Sequence, residues 1–257
     1  MLELNRIHCG DNCDLLGQMP RESVDLVVTS PPYDDLRTYG GHGWDFFGVA
    51  WHLKRVLKPG GVIVWVVADA TKDGSETGSS MEQALHFKRL GLNLHDTMIY
   101  KKRSYLPQNS PTRYDQCWEF AFVLVAGAAP RVANLLRDRP NVKAGSRYTT
   151  GGRRGADGAT VDTRSIEAEE WGLRSNAWDY AANSNDGHPA QMPYDLARDH
   201  VATWSNPGDL VLDPFSGSGT TAKAAKTLGR QFIGLEVNPD YCAIAEQRIA
   251  QGVLELA

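Results

Sequence analysis

The residues of this chain best suited to do chemistry are Ser30-Pro31-Pro32-Tyr33, called here the proline corner, which follow the apolar run Val24–Thr29. Proline fixes its own φ, donates no backbone hydrogen bond and favours an extended conformation in the residue before it, so two consecutive prolines make a rigid corner. If the apolar run is a strand, then a hydroxyl, a fixed carbonyl and an aromatic ring stand together at its carboxyl end, where open α/β folds bind ligands. These groups suit a planar ring that carries an amino group.

The proline corner offers a way to activate such an amino group. An exocyclic amino nitrogen on a nucleobase is a weak nucleophile, because its lone pair is delocalised into the ring. The Ser30 hydroxyl and the Pro31 carbonyl can each accept one amino hydrogen and so direct the lone pair at an electrophile, while Tyr33 stacks on the ring. The alternative is a Pro-Pro turn in which the serine and the tyrosine only pack.

A second candidate site is Asp213-Pro214-Phe215-Ser216-Gly217-Ser218-Gly219-Thr220-Thr221, called here the glycine loop, which lies between a short apolar run and a helical pattern. Glycines let the backbone approach a ligand closely, and amides at a helix start bind anionic groups. Glu236 ends the next apolar run, about 20 residues on, at the spacing of an acid that binds ribose hydroxyls. No lysine follows the second glycine and the three-glycine dinucleotide spacing is incomplete, so the loop fits a nucleoside carrying an amino acid better than one carrying a pyrophosphate. The alternative is a tight turn without a ligand.

These two motifs, together with His188-Pro189-Ala190-Gln191-Met192-Pro193, resemble the β-class DNA amino-methyltransferases. In that family the catalytic half precedes the cofactor half and the target-recognition region lies between them, which is the order found here from Ile7 to Ile249. The resemblance implies a permuted Rossmann-like methyltransferase fold, S-adenosylmethionine as cofactor and double-stranded DNA as partner. A homodimer and a cognate restriction enzyme are both compatible with it.

The resemblance also implies a role for individual residues. Glu236 corresponds to the acid that binds the cofactor ribose, Asp11 to an acid near the adenine amino group of the cofactor, and His188 to the segment that closes over the methionine portion. Many relatives carry Asp where this chain carries Ser30. In the family, Ser at this position is associated more with cytosine and Asp more with adenine, but each base occurs with each residue. Adenine N6 and cytosine N4 therefore both stay open. The implied catalytic residues are Ser30, Pro31, Pro32 and Tyr33, and the implied cofactor-binding residues are Asp11, His188, Asp213, Phe215, Gly217, Ser218, Gly219, Thr220 and Glu236.

The elements that must hold these motifs follow from hydrophobic periodicity. Strands are predicted at residues 6–9, 24–29, 61–67, 93–100, 118–125, 209–212 and 231–235, and helices at 46–57, 80–90, 193–204, 220–228 and 239–250. This alternation predicts an α/β fold, a mostly parallel seven-stranded sheet with helices on both faces. Residues 1–126 are expected to form the catalytic half, residues 127–187 a small target-recognition insertion and residues 188–257 the cofactor half.

Charge is unevenly distributed along the chain. The net charge is -4, yet residues 131–154 carry seven basic side chains against a single acid. Local basic patches are sufficient for phosphate contacts, because binding depends on the surface that faces the duplex. The alternative is a solvated loop, and residues 149–163 are expected to be disordered without DNA. The candidate DNA-binding residues are Lys101, Lys102, Arg103, Arg147, Arg153 and Arg154.

Composition excludes several other classes. The mean hydropathy is -0.39, no apolar stretch approaches the length of a membrane span, and no export signal begins the chain, so a cytoplasmic location without membrane contact is expected. The four cysteines show no Cys-x-x-Cys spacing and the seven histidines form no ligand cluster, so neither a disulfide framework nor a metal is expected.

The sequence thus predicts methyl transfer to the exocyclic amino group of a base extruded from duplex DNA, without a covalent enzyme intermediate. One alternative is an amino-methyltransferase that acts on RNA or on a small molecule, and the basic central segment favours DNA over both. Another is a catalytically silent DNA-binding regulator of the same fold, against which the intact proline corner and glycine loop argue.

Overall fold

The computed structural model describes residues 2–32, 43–105, 107, 110–150, 153–154, 160–161, 164–181 and 192–251. Its central sheet is built from eight strands: β1 (Arg6–Cys9), β2 (Val24–Thr29), β3 (Leu57–Val67), β4 (Asn93–Lys102), β5 (Trp118–Val125), β6 (Ala177–Tyr180), β7 (Leu210–Asp213) and β8 (Gln231–Glu236). The helices of the described residues are α1 (Asn12–Gly17), α2 (Phe46–Val56), α3 (Ser79–Arg89), α4 (Tyr194–Trp204), α5 (Thr220–Thr227) and α6 (Pro239–Ala250).

The strand order across the sheet is β1-β8-β7-β2-β3-β5-β4-β6. Every neighbouring pair is parallel except the two pairs that β5 makes, with β3 and with β4. The predicted α/β fold with a mostly parallel sheet is therefore confirmed. A parallel sheet needs helices on both faces, and here α1, α2 and α3 cover one face while α4, α5 and α6 cover the other.

The predicted count of seven strands was wrong, because the described residues contain an eighth, β6, at the edge of the sheet. It pairs in parallel with β4, where Trp178 lies opposite Tyr100. Its four residues alternate between exposed and buried, and the two buried ones are Trp178 and Tyr180. Sequence reasoning missed it because so short an alternation inside a polar, glycine-rich stretch is no stronger than a loop pattern.

Strand β2 is central, and all six of its residues are buried. A continuous apolar run of this kind is typical of a parallel strand covered on both faces. Its one buried acid, Asp25, accepts hydrogen bonds from the Lys58 ammonium at 2.8 and 2.9 Å, from the Leu210 amide at 2.9 Å and from the Arg131 guanidinium. These bonds fix the amino ends of β2 and β7 side by side.

The chain divides into two compact units, residues 1–134 with 176–257, and residues 135–175. The smaller unit lies inside the predicted insertion at residues 127–187, whose exact bounds stay a prediction. Among its described residues it contains short antiparallel pairs, Arg139–Pro140 with Trp171–Gly172, Arg147–Thr150 with Arg164–Glu167, and Arg153–Arg154 with Thr160–Val161. A further hairpin, Thr71–Lys72 with Ser75–Glu76, belongs to the larger unit. Within the described part of the chain, no helix is long and apolar enough to cross a membrane.

Candidate active site

The proline corner and the glycine loop, 183 residues apart at their first residues in sequence, meet at one edge of the sheet. Strands β2 and β7 are parallel neighbours in which Leu26 pairs with Val211 and Val27 with Leu212, so both strands end at the same carboxyl edge. A cavity of about 160 Å³ opens there. Of the predicted residues, those that line it are Asp11, Ser30, Pro31, Pro32, Asp213, Phe215, Gly217, Ser218, Thr220 and Glu236. Tyr33 and His188 lie outside the described residues.

A buried hydrogen bond joins the two motifs. The Thr29 hydroxyl, one residue before the proline corner, donates to the Asp213 carboxylate at 2.6 Å. The same carboxylate oxygen accepts a hydrogen bond from the Phe215 amide at 3.1 Å. Asp213 therefore connects the end of β2 to the first turn of the glycine loop and fixes their separation. Sequence reasoning did not single out Thr29, whose only signal is a hydroxyl at the end of an otherwise apolar strand.

The buried position of Asp213 changes its acidity. Burial raises the pKa of this carboxyl to about 6, against the smaller lowering effects of its hydrogen bonds with Thr29, Phe215 and Thr221, because removal from water disfavours the charged form. The Asp213 carboxyl makes its hydrogen bonds within the protein, and its contribution to the site is to hold two loops together.

Glu236 lies at the end of β8, beside the glycine loop. One of its carboxylate oxygens accepts from the Gly217 amide at 2.8 Å and the other accepts from the Asn238 amide at 2.9 Å. Each oxygen keeps a second lone pair for a ligand, since a carboxylate offers about four acceptor sites. The sequence signal for this acid was its distance from the loop, and the structure brings the two into direct contact.

Gly219 does not line the cavity, although it was predicted to bind cofactor. It adopts a φ of 80° as the residue before α5, and a Cβ atom placed on it would lie 3.0 Å from Cβ of Ala245 in α6. Both the left-handed backbone and the close approach of α6 require glycine. Its part in the site is to let the loop turn into α5 so that Ser218 and Thr220 face the cavity.

Two further residues of the site were missed from the sequence. Trp44 forms a wall of the cavity, with its ring 4.8 Å from that of Phe215 in an edge contact. Arg248 of α6 donates to the Ser218 carbonyl at 3.0 Å and to the Ser218 hydroxyl at 2.6 Å. Neither had a short-range signal, because both contacts join residues far apart in the chain.

The candidate DNA-binding residues differ in their surroundings. In the larger unit, Lys102 pairs with Glu119 at 2.6 Å and Arg103 pairs with Asp179 at 3.0 Å, whereas Lys101 is exposed. Arg131, which contributed to the predicted basic segment, pairs with Asp25 and with Asp209 instead.

In the smaller unit, Arg147 is 80% exposed with Glu167 3.9 Å away. Arg153 and Arg154 form one strand of a short hairpin. The basic side chains of the predicted segment are thus partly neutralised by acids that lie outside the segment in sequence.

The Cys13 thiol is not set up as a nucleophile. Cys9, Cys13, Cys117 and Cys242 are all free cysteines. Burial and the nearby acid Asp11 raise the pKa of Cys13 to about 11, so this thiol stays protonated near neutral pH. In the described residues, no cluster of three or more histidine, cysteine or acidic side chains could hold a metal ion.

Comparison with known proteins adds three similarities. A family model described as DNA methylase matches residues 24–247. The orphan methyltransferase M.BamHII of Bacillus amyloliquefaciens is 46% identical over 242 residues, which cover 90% of this chain and 91% of that protein. The DNA adenine methyltransferase YhdJ of Escherichia coli (strain K12) is 28% identical over 264 residues, covering 96% of this chain and 83% of YhdJ.

Among solved structures, a putative DNA modification methylase from Thermus thermophilus, complexed with S-adenosyl-L-methionine, superposes with a TM-score of 0.66 at 26% identity. The superposition covers 96% of this chain and 93% of that one.

Proposed function

The chain belongs to the DNA methylase family and is therefore a DNA methyltransferase, and on that premise we propose that it moves the methyl group of S-adenosylmethionine to an exocyclic amino group of a base extruded from duplex DNA. The observation that carries the proposal is the joining of the proline corner to the glycine loop through Thr29 and Asp213 beside a single cavity. A cofactor site and a base site are then held at a fixed distance, which direct transfer between two bound molecules requires.

The cavity offers groups that match the parts of S-adenosylmethionine. Glu236 has acceptor sites for ribose hydroxyls, and the rings of Trp44 and Phe215 provide an apolar wall for an adenine ring. The Ser216 hydroxyl is buried at the cavity and has no hydrogen-bond partner within the described residues. A buried hydroxyl of this kind gains free energy when a ligand supplies its partner.

Ser30 and Pro31 are proposed to act on the target base. The half-buried Ser30 hydroxyl and the Pro31 carbonyl accept the two amino hydrogens and turn the nitrogen lone pair toward the cofactor, while Tyr33 stacks on the ring. S-adenosylmethionine, when bound, supplies an electrophilic methyl group. A nitrogen–carbon bond forms as the carbon–sulfur bond breaks, and the nitrogen then loses one proton to water by way of Ser30.

The target base is proposed to be adenine, at N6, or cytosine, at N4. The similarity to YhdJ, which is named as an adenine methyltransferase, supports the first, whereas Ser30 in place of the Asp found in many relatives supports the second. The experiment must therefore read both products.

The test is methyl transfer from labelled S-adenosylmethionine to duplex DNA, to RNA and to a pool of small metabolites, followed by digestion and mass spectrometry of the nucleosides. We expect label in DNA, as N6-methyladenine or as N4-methylcytosine, and its loss in Ser30→Ala. Arg55→Ala is a matched control, because Arg55 donates to the carbonyls of Leu16 and Met19 and does not line the cavity. Label in RNA or metabolites alone would replace DNA as the substrate.

A further inference from the structure

An exposed basic and aromatic pair, Lys101 and Trp118, lies at the carboxyl edge of the sheet. The exposed Tyr114 precedes Trp118 by four residues, in the loop that leads into β5, and these three residues are called here the strip. Lys101 and Trp118 are directly opposite each other in the antiparallel ladder of β4 and β5, so their side chains lie on the same face, with Cβ atoms about 5 Å apart. Trp118 is 36% exposed and Tyr114 is 100% exposed. Phe122, four residues further along β5, lies on the same face of the sheet as Trp118 and is buried. This face is therefore covered at Phe122 and exposed to solvent at Trp118.

The strip lies on the same edge of the sheet as the proline corner. Thr29 of β2 pairs with Trp65 of β3, and Trp65 pairs with Phe122 of β5. Strands β2 and β5 are two strand spacings apart, a distance of about 10 Å across the sheet. Trp118 lies four residues from Phe122 toward the carboxyl edge, a distance of about 13 Å along the strand. The strip therefore stands beside the entrance to the base site and projects beyond it.

Charge within the strip is complementary to a polyanion. Lys101 makes no ion pair within the described residues, and the acid opposite it in β6, Asp179, is already paired with Arg103 at 3.0 Å. The neighbouring Lys102, in contrast, is paired with Glu119 at 2.6 Å. The other three basic side chains of residues 101–118 lie within 4 Å of acids, Lys102 of Glu119, Arg103 of Asp179 and Arg113 of Glu76. Among the described residues of this segment, Lys101 is therefore the basic side chain without an ion pair. Exposed aromatic rings beside an available ammonium are the groups that bind nucleic acid, since rings stack on bases and the ammonium binds phosphate.

We propose that the strip contacts the DNA strand a few nucleotides from the extruded base, with Lys101 on a phosphate and the rings of Tyr114 and Trp118 against bases or sugars. Successive phosphates of one strand are about 3.4 Å apart along the duplex, so the combined offset of about 16 Å, from about 10 Å across the sheet and about 13 Å along it, corresponds to about five nucleotides. This inference rests on the proposed function, because it presumes that DNA enters at the proline corner.

The test is fluorescence anisotropy of a short labelled duplex with full-length protein and S-adenosylmethionine, at salt concentrations from about 50 to 200 mM. We expect Lys101→Gln to lower the salt slope by about one unit and Lys102→Gln to change it less, although both remove one positive charge. Tyr114→Ala and Trp118→Leu are expected to weaken binding about fivefold or more with an unchanged slope, because they remove stacking and no charge.

Several outcomes decide the matter. The affinity for S-adenosylmethionine, measured by calorimetry, should equal that of the wild type in every variant. Tyr114→Ala is the decisive variant, because the Tyr114 side chain is fully exposed and its removal costs no packing. Equal DNA affinity in wild type and Tyr114→Ala, or equal slopes in Lys101→Gln and Lys102→Gln, would overturn the inference. Wild-type protein that binds S-adenosylmethionine but neither binds nor methylates DNA would overturn the proposed function itself, and the strip proposal with it.

Discussion

The junction of β2 with β7 and the smaller unit, residues 135–175, are built from different interactions. At the junction a buried hydroxyl, a buried carboxyl and a backbone amide hold two loops within hydrogen-bond distance. In the smaller unit the strands are two to four residues long and exposed pairs such as Arg137 with Glu169 recur. Buried hydrogen bonds are costly to break, whereas exposed ion pairs contribute little, so substitutions in the two regions should differ in size as well as in kind.

The largest effect is expected at the proline corner. Ser30→Ala and Tyr33→Ala should each lower the rate of methyl transfer about 10²-fold to 10³-fold, because each removes a contact made to the reacting base. Single-turnover rates with saturating DNA measure it. Affinity for S-adenosylmethionine should stay close to that of the wild type, and near-normal rates in both variants would remove these residues from the reaction.

A smaller effect, on cofactor affinity, is expected at Glu236. Glu236→Ala should weaken S-adenosylmethionine binding about tenfold or more, because it removes charge-assisted acceptors for the ribose and releases the Gly217 amide. Gly217→Val should have a similar effect, since its side chain would enter the cavity. Neither should change which base is methylated.

The control for Glu236→Ala is Glu246→Ala. Glu246 also accepts a hydrogen bond from a backbone amide, that of Ile7 at 2.9 Å, but it does not line the cavity. Calorimetry should separate the two variants. Equal affinity in Glu236→Ala and Glu246→Ala would mean that the acid at the end of β8 only shapes the loop.

The contrast between the two regions also explains what the sequence could and could not predict. The six buried residues of β2 and the glycine loop produce local patterns, so the strand and the loop could be located from strand and helix periodicity. That the two belong to one site was implied by the family resemblance and not by periodicity. Trp44 and Arg248 act through contacts with residues distant in the chain, which no local pattern contains. The helix α1 was missed because it has only six residues, with Asp11 as its N-cap.

Basic residues were the least predictable part of the site. Counting charges along residues 131–154 indicated a positive segment, but the acids that pair with Arg131 and Arg137 are Asp25, Asp209 and Glu169, all outside that segment. Pairing of this kind depends on the fold, so net charge along a sequence gives the charge of a segment and not that of a surface.

A moderate effect on stability, with a defined pH dependence, is expected at Asp213. Its pKa is raised from 3.8 to about 6 in the folded chain, so the stability it contributes is fully present below about pH 4 and is lost as pH rises through 6. Asp213→Asn removes this titration. The wild type should therefore lose about 1 kcal/mol of unfolding free energy between about pH 5 and pH 7.5, and the Asp213→Asn variant should not. The difference, variant minus wild type, rises by about 1 kcal/mol over that range.

Urea unfolding at the two pH values measures this difference. Thr29→Val is the companion variant, because it removes a hydrogen bond that lowers the Asp213 pKa while retaining the carboxyl. In that variant the pH dependence should remain and move to higher pH. A pH-independent difference between wild type and Asp213→Asn would show that the buried carboxyl does not titrate in this range.

The smallest effect is expected in the smaller unit, at Arg147. Its side chain is 80% exposed and its nearest acid, Glu167, is 3.9 Å away, so Arg147→Ala should leave the free energy of unfolding almost unchanged. If Arg147 binds a phosphate, the same variant lowers the salt slope of DNA binding by about one unit, and the triple replacement of Arg147, Arg153 and Arg154 by Ala lowers it further. Arg137→Ala is the control, because Arg137 already pairs with Glu169 at 2.5 Å and its loss should change the slope less. If one of these arginines reads a base, its replacement by Ala should instead relax the sequence preference at one position and leave the affinity for a scrambled duplex unchanged.

Unchanged affinity and slope in the triple variant would remove these arginines from the DNA interface and leave the basic side chains of the larger unit to supply the phosphate contacts.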